Sequence, residues 1–292
     1  MRHRADIYRK ARQFRYTVLV GLMLLQGCAT LQPQAPRLVV HAPTALFTDE
    51  STACRTGWVS APAKPETALN PDHITLVNWN MKKGSRANWH GQFEQLAEDA
   101  DLITLQEAPL ASAGWRELES DKYHAFAPGF QSRRTPTGVM TLSDAAHLVQ
   151  CNLKAREPWL RSPKAMLATE YALADRPESL LVVNVHVVNF SLGLTAFNRQ
   201  LEQVRAVVAQ HPGPVILTGD FNTWRHGRMK RLLDLVEENQ LAAVAFRHDV
   251  RKRFLGRPLD HVYVRGLKVL DATTIATRAS DHNPMQVSLS AF

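Results

Sequence analysis

From His73 onward, short apolar runs alternate with amphipathic stretches. The run "HITLVNWNM" reads as a strand, and "NWHGQFEQLAEDA" after it puts Phe93, Leu96, Ala97 and Ala100 on one helical face. "DLITLQEA" predicts the next strand, and a shorter helix is expected near Ala113 to Ser120. "YHAFA", "GVMTLS", "HLVQCNL" and "AMLATEYAL" predict strands joined by turns, followed by "LLVVNVHVVNF". The clearest helix comes next, where Leu194, Phe197, Leu201, Val204, Val207 and Val208 keep one apolar stripe up to His211-Pro212. "PVILTGDFN", a basic helix over Arg228 to Glu238, "LDHVYVRG", "LKVLDATTI" and "NPMQVSLSA" complete the pattern. Runs such as Val215-Ile216-Leu217 are apolar without alternation, which suits strands covered on both faces of an α/β sheet. A single open sheet of so many strands would be wide, so the pattern calls for two sheets with helices outside them.

The N-terminal part reads differently. A basic stretch is followed by the apolar run "TVLVGLMLL" and then Leu25-Gln26-Gly27-Cys28, as in a targeting segment. Residues 1–27 hold six Lys or Arg against Asp6 alone, so five of the eight net positive charges fall there and the rest of the chain is only mildly basic. "LQGC" resembles a bacterial lipobox, in which the Cys is lipidated and becomes the first mature residue; Gln26 departs from the usual small or aliphatic residue. An uncleaved signal anchor is the alternative. Ala29 after Cys28 resembles the arrangement that sends Gram-negative lipoproteins to the outer membrane. Residues 28–72 are rich in Pro, Ala and Thr and read as a tether. With Cys28 assigned to lipid, Cys54 and Cys151 remain, and an oxidising compartment favours a bridge between them, two separate buried thiols being the other reading. The expected organisation is therefore a signal peptide over 1–27, an extension over 28–72 and one domain over 73–292.

Polar groups stand where the strands end. The first ends in Asn80, the second in Gln106-Glu107, a later one in His186 with Asn189 close behind, and "VILTG" in Asp220 and Asn222. Asp260-His261 opens a further strand, and Asp281-His282-Asn283 precedes the last. Any one of these is commonly a cap or a turn, but ligands of α/β sheets gather at strand ends, and six such places together point to a site. The residue types suit phosphoester hydrolysis. A carboxylate such as Glu107 with oxygen-bearing neighbours fits a hard cation, an Asp-held His donates to a phosphoryl oxygen, and a further Asp orients or deprotonates water.

The ordered motifs "VNWNM", "LQE", "NVHVVN", "GDFN", "LDHVYV" and "SDHNP" resemble those of the endonuclease/exonuclease/phosphatase superfamily across about Ile74 to Ser290. "GVMTLS", "VNFSLG", "FGRPLD" and "TRASDHNP" look closer still to its YafD-type bacterial branch. The resemblance implies a DNase I-like four-layer α/β sandwich, with two packed mixed β-sheets flanked by helices. It implies Mg²⁺ or Mn²⁺, held by Glu107 with Asn80 and Asp281 near it. It makes Asp220 the water-activating residue, Asn222 the residue that orients phosphate, and His282 the catalytic His paired with Asp260. His186 takes a phosphate-contacting position and Asn189 a substrate-side one. Lys82 stands where abasic-site endonucleases carry an acid, so it either turns away or meets substrate phosphate, which favours one cation over two.

The substrate is less legible. Residues 220–268 carry eleven Lys or Arg against six acids. Arg225, Arg228, Lys230 and Arg231 directly follow "GDFN" and would track a polyanion, which favours a phosphodiester in nucleic acid. Arg278 is a candidate phosphate clamp. A phospholipid or sugar-phosphate hydrolase and a catalytically silent envelope-binding lipoprotein are the alternatives, and no obligate protein partner is evident. The expected location is the cell envelope, lipid-anchored and facing the periplasm from the outer membrane.

Labelling of the expressed protein with a radioactive fatty acid should depend on Cys28. Cys28→Ser is expected to abolish incorporation; labelling that persists would replace the lipobox reading with a signal anchor.

Overall fold

All seven residues of the first strand, β1 (Ile74–Asn80), are buried, so both of its faces pack against other elements. The computed structural model describes residues 67–110, 122–132, 135–156, 163–189, 191 and 193–292, all within the unit Pro43–Phe292. The helix expected near Ala113, together with Cys28 and Cys54, lies outside the described residues. Cys151 is disulfide-bonded.

After β1 come α1 (Trp89–Ala97), β2 (Leu102–Pro109), β3 (Tyr123–Ser132), β4 (Thr135–Ser143), β5 (His147–Arg156) and β6 (Pro163–Ala172). Then follow β7 (Ser179–His186), α2 (Thr195–Gln210), β8 (Val215–Asp220), α3 (His226–Glu238) and β9 (Ala242–Ala243). The short strands β10 (Arg253–Phe254) and β11 (Arg257–Pro258) precede β12 (Asp260–Arg265), β13 (Leu267–Thr274) and β14 (Met285–Ala291). One six-stranded sheet has the order β13-β14-β1-β2-β4-β3 and the other β5-β6-β7-β8-β12-β9, while β10 and β11 form a separate ribbon. Each sheet is mixed, with one parallel pair, β1–β2 or β7–β8, among antiparallel neighbours. A parallel pair needs a crossover, and α1 and α2 supply the two.

Period-two alternation sorts the core into layers. Val77, Trp79, Ile103 and Leu105 face α1, where Phe93 and Leu96 meet them. Leu181, Val183, Val185, Val215 and Leu217 face Phe197, Leu201 and Val204 of α2 and Leu232 and Leu235 of α3. Ile74, Leu76, Leu102, Leu180, Val182, Ile216, Val262 and Val287 fill the space between the sheets. The architecture is a helix layer, two sheets and a second helix layer, the α/β sandwich expected. Residues read as the end of the tether belong to this domain. The Leu69 amide donates to Ala172 O at 2.9 Å and Leu69 O accepts from the Ala174 amide, because a buried leucine in this position extends the edge of the core.

Between the sheets, the apolar filling gives way to neutral polar groups one step further along each strand. Gln106 Nε2 donates to Asn78 Oδ1 at 2.9 Å and, across the sheets, to Asn184 Oδ1 at 2.8 Å. Asn184 Nδ2 donates to Met140 O at 2.9 Å, and Thr104 Oγ1 donates to Asn78 Oδ1 at 2.9 Å. These groups are fully or almost fully buried, so leaving one unpaired costs its desolvation.

Asn184→Leu should therefore lower unfolding free energy by about 2–3 kcal/mol in denaturant titrations, since it strands Gln106 and the Met140 carbonyl. Adding Gln106→Leu should recover part of the loss. Simple additivity of the two would show that the cross-sheet bond is not what the single substitution removes.

Candidate active site

The next inward-facing position on each strand carries the predicted chemistry. Asn80 follows Asn78, His186 follows Asn184 and Asp220 follows Thr218, while Asp260 precedes Val262 in the antiparallel strand β12. Register brings them level: Asn80 lies opposite Gln106, His186 opposite Asp220, and Asp260 opposite Asp220. Two parallel pairs thus end at one edge of the sandwich, and the sheets meet there through Asn80 Nδ2, which donates to Asp220 Oδ2 at 3.0 Å.

Strict alternation would turn Glu107 toward α1, because Gln106 faces inward. A register shift between Leu105 and Ala108 and a left-handed φ of 52° at Glu107 re-aim it, and its carboxylate comes 3.9 Å from His186 Nε2. Other strained residues surround the site: Lys82 at φ 50° and Asn222 at φ 50°. Gly219 adopts φ 139°, and a Cβ there would stand 2.1 Å from Val185 O, so only glycine lets β8 approach β7 closely enough.

Asp220 is held on both oxygens, by the Asn222 amide at 3.0 Å and by Asn80. Burial raises its pKa to about 6; His282 opposes that rise and Asp260 adds to it. Asp260 accepts from His282 Nδ1 at 2.8 Å, which fixes the imidazole. Burial works against the imidazolium, but the carboxylates of Asp260, Asp220 and Asp281 outweigh it and raise the His282 pKa to about 9. The loop carrying His282 is fastened to β1, since Trp79 Nε1 donates to His282 O at 3.0 Å and Ser280 Oγ to Asn80 O at 2.7 Å.

Several expected roles change. The Asn80 amide group holds Asp220, and its Oδ1 accepts from the Lys82 amide at 3.1 Å, so Asn80 positions the carboxylate. Asp281, expected near the metal, is engaged by Lys82 Nζ at 3.2 Å and Lys252 Nζ at 3.8 Å. Burial opposes the carboxylate, but Lys82, His282 and Lys252 lower the Asp281 pKa. Lys82 thereby brings a positive charge next to the acids. Arg228 is no part of an exposed flank. It is fully buried and donates to Val188 O, Asn222 O, Asn189 O and Ser191 Oγ at 2.7–3.1 Å, fixing the loops after β7 and β8. Lys230 and Arg231 pair with Asp234 on their own helix. Asn189 Oδ1 accepts from Trp224 Nε1 at 3.0 Å, Asn222 Nδ2 donates to Val187 O, and Arg278 is exposed.

Lys164 was not foreseen. Its Nζ lies 2.8 Å from His186 Nε2, and an ammonium only donates, so this nitrogen accepts and His186 is neutral. Burial first, then Lys164, His282 and Lys83, hold the His186 pKa well below 6.5. The register of β6 with β7, Met166 opposite Val185, brings Lys164 there, and nothing in "PKAML" signals it. Lys83, 3.9 Å from Glu107, completes with Lys82, Lys164 and Lys252 a set of four ammonium groups around the acids.

Asp220, Asp260 and His282 present ligand atoms within 4.8 Å of one another, the geometry of a possible ion site. His282 Nδ1 is, however, already bonded to Asp260, so the pair is arranged as a dyad. Glu107 offers carboxylate oxygens beside them, the donor type that hard cations take.

The Endonuclease/Exonuclease/phosphatase family profile matches residues 77–282. The chain is 43% identical over 226 residues to a UPF0294 protein of Klebsiella pneumoniae (strain 342), covering 77% of this chain and 85% of that relative. Its fold is similar to an endonuclease/exonuclease/phosphatase from Beutenbergia cavernae at TM-score 0.60 and 15% identity, over 75% of this chain and 72% of that one. It is also similar to the human Nocturnin catalytic domain, solved with bound sulfate, at TM-score 0.60 and 16% identity, over 77% and 97% of the two chains.

Because the folded His282 pKa of about 9 exceeds the ordinary 6.5, its stabilising contribution is whole below pH 6.5 and is lost as pH rises through about 9. Unfolding free energy of metal-free protein should fall across that window, and Asp260→Asn should flatten the fall. An imidazole that NMR finds titrating below 6.5 would contradict the arrangement.

Proposed function

Since the chain belongs to the endonuclease/exonuclease/phosphatase family, we propose that it is a divalent-metal-dependent hydrolase of phosphodiesters. The observation that carries the reading is an Asp220 carboxylate, held between Asn80 and the Asn222 amide, beside a buried His282–Asp260 dyad. Asp220, with its pKa near 6, is ionised at neutral pH and accepts the proton of an attacking water. His282, with a pKa near 9, is then a cation that stabilises the charge growing on the phosphoryl oxygens or gives its proton to the leaving oxygen. Asp260 keeps that cation oriented and the pair acts as one unit. Lys164 adds a second positive group beside His186, so a phosphate oxygen in this cleft meets an ammonium where a histidine donor was expected. Glu107 would hold Mg²⁺ or Mn²⁺, and the ion, when bound, supplies Lewis-acid polarisation of a phosphoryl oxygen.

Nucleic acid remains the substrate we favour, on the four ammonium groups around the site, now that α3 no longer provides a basic track. A phospholipid headgroup is the second reading, supported by exposed apolar side chains at the rim, Phe130 beside Lys83 and Phe254 beside Trp224. We extend the proposal to an exported protein, tethered by lipid on Cys28 and facing the periplasm from the outer membrane. The support for that is the pattern of residues 1–28.

Asp220→Asn, Glu107→Gln and His282→Ala should each lower turnover of a released phosphodiester by roughly a hundredfold or more while circular dichroism stays unchanged. DNA, RNA, phospholipid vesicles and a phosphomonoester should be compared with Mg²⁺ present. Turnover that survives EDTA, or a His282→Ala protein of normal rate, would overturn the scheme, and fastest release from the monoester would overturn the diester reading.

A further inference from the structure

The ribbon β10–β11 closes on two residues, Leu255 and Gly256, with φ 49° and 76°. Two positive φ values make the tight reversed turn that favours Asn or Gly, and glycine takes the second place. A leucine in the first place is strained and gains nothing from the fold, since its side chain is 69% exposed. Phe254 next to it is 53% exposed, with one edge against Trp224 at a centroid distance of 6.0 Å, and Val250 is 43% exposed. Arg253 and Arg257 flank the apolar tip along the ribbon, and Arg225 lies over the Trp224 ring that Phe254 meets; Asp249 is occupied by Arg251 and Arg253, and Lys252 turns to Asp281. The ribbon is rooted in the site: the Leu259 amide donates to Lys252 O, Arg251 donates to Asp260 O at 3.1 Å, and Lys252 reaches Asp281.

We propose that the Phe254–Leu255 tip docks into an anionic lipid bilayer, bringing the catalytic edge to the membrane surface. Aliphatic and aromatic side chains enter the headgroup boundary, and the arginines behind them meet lipid phosphates. Leu255 has no ring to stack on a base, which favours lipid over nucleic acid as the occupant. The docking is independent of which phosphodiester is cut, so it stands or falls apart from the function proposed above.

The test uses the full chain with an environment-sensitive fluorescent amino acid in place of Leu255, and a control with the same group at Leu270, exposed on β13. Phosphatidylcholine vesicles containing phosphatidylglycerol should blue-shift the probe at 255 and expose it to lipid-borne quenchers, leaving the control in water. Arg257→Glu should weaken that response about tenfold in lipid concentration. A probe at 255 that stays in water while the chain is bound to vesicles overturns the proposal. So does an equal shift produced by single-stranded DNA alone, which would assign the tip to nucleic acid.

Discussion

The catalytic edge rests on the hydrogen bond from Gln106 to Asn184, which, with the bonds from Asn184 to Met140 O and from Asn80 to Asp220, fixes one sheet against the other. Each partner sits two residues below, or in register with, a site residue: Asn184 below His186, and Gln106 opposite Asn80. Apolar side chains alone would let two sheets slide, since burial has no direction. A bidirectional network of neutral amides permits one registration and penalises the others through unpaired polar groups. Along the space between the sheets the filling runs from hydrocarbon through amides and hydroxyls to carboxylates and imidazoles. Charged groups therefore stand on a polar layer and not directly on hydrocarbon, which moderates the cost of burying Asp220 and Asp260.

Geometry at the edge is maintained by backbone that an isolated chain would avoid. Glu107, Lys82 and Asn222 hold positive φ, and Gly219 occupies a place that a methyl group would block. Each such residue costs on the order of 1 kcal/mol or more, which the surrounding sheets and the buried Arg228 offset. Arg228 is central here. By binding carbonyls of Val188, Asn189 and Asn222 it ties the turn after β7 to the turn after β8, and those turns carry Asn189 and Asn222. Its work is done on the backbone of the site, with its charge spent on four acceptors.

Much of this was legible in the sequence because it follows from periodicity. Alternation places Asn80, His186, Asp220 and Asp260 on the face of their strands, and the apolar stripe of α2 is the face that packs. Glu107 was found as a candidate, but not the bulge that aims it, since a one-residue register shift leaves no compositional mark. Lys164 owes its place to strand pairing across 22 residues and was invisible. By residue type Arg228 reads as part of a charged flank, yet it lies four and seven residues before Leu232 and Leu235, on the apolar stripe of α3. Lys82 and Asp281, far apart in sequence, pair only once the first and last strands of their sheet are neighbours.

That neighbourhood of β1 and β14 has a temporal meaning. Trp79 Nε1 reaches His282 O across 203 residues, and Asn80 reaches Asp220 across 140. Neither half of the sandwich holds a working set alone, for Asp220, Asp260 and His186 come from one sheet and Glu107 from the other. During synthesis the loop bearing His282 emerges long after β1, and loop closure over such spans is slow. A hydrolase built in this order has no complete site until the first and last strands of that sheet have met, so the order of the chain itself serves as the safety catch.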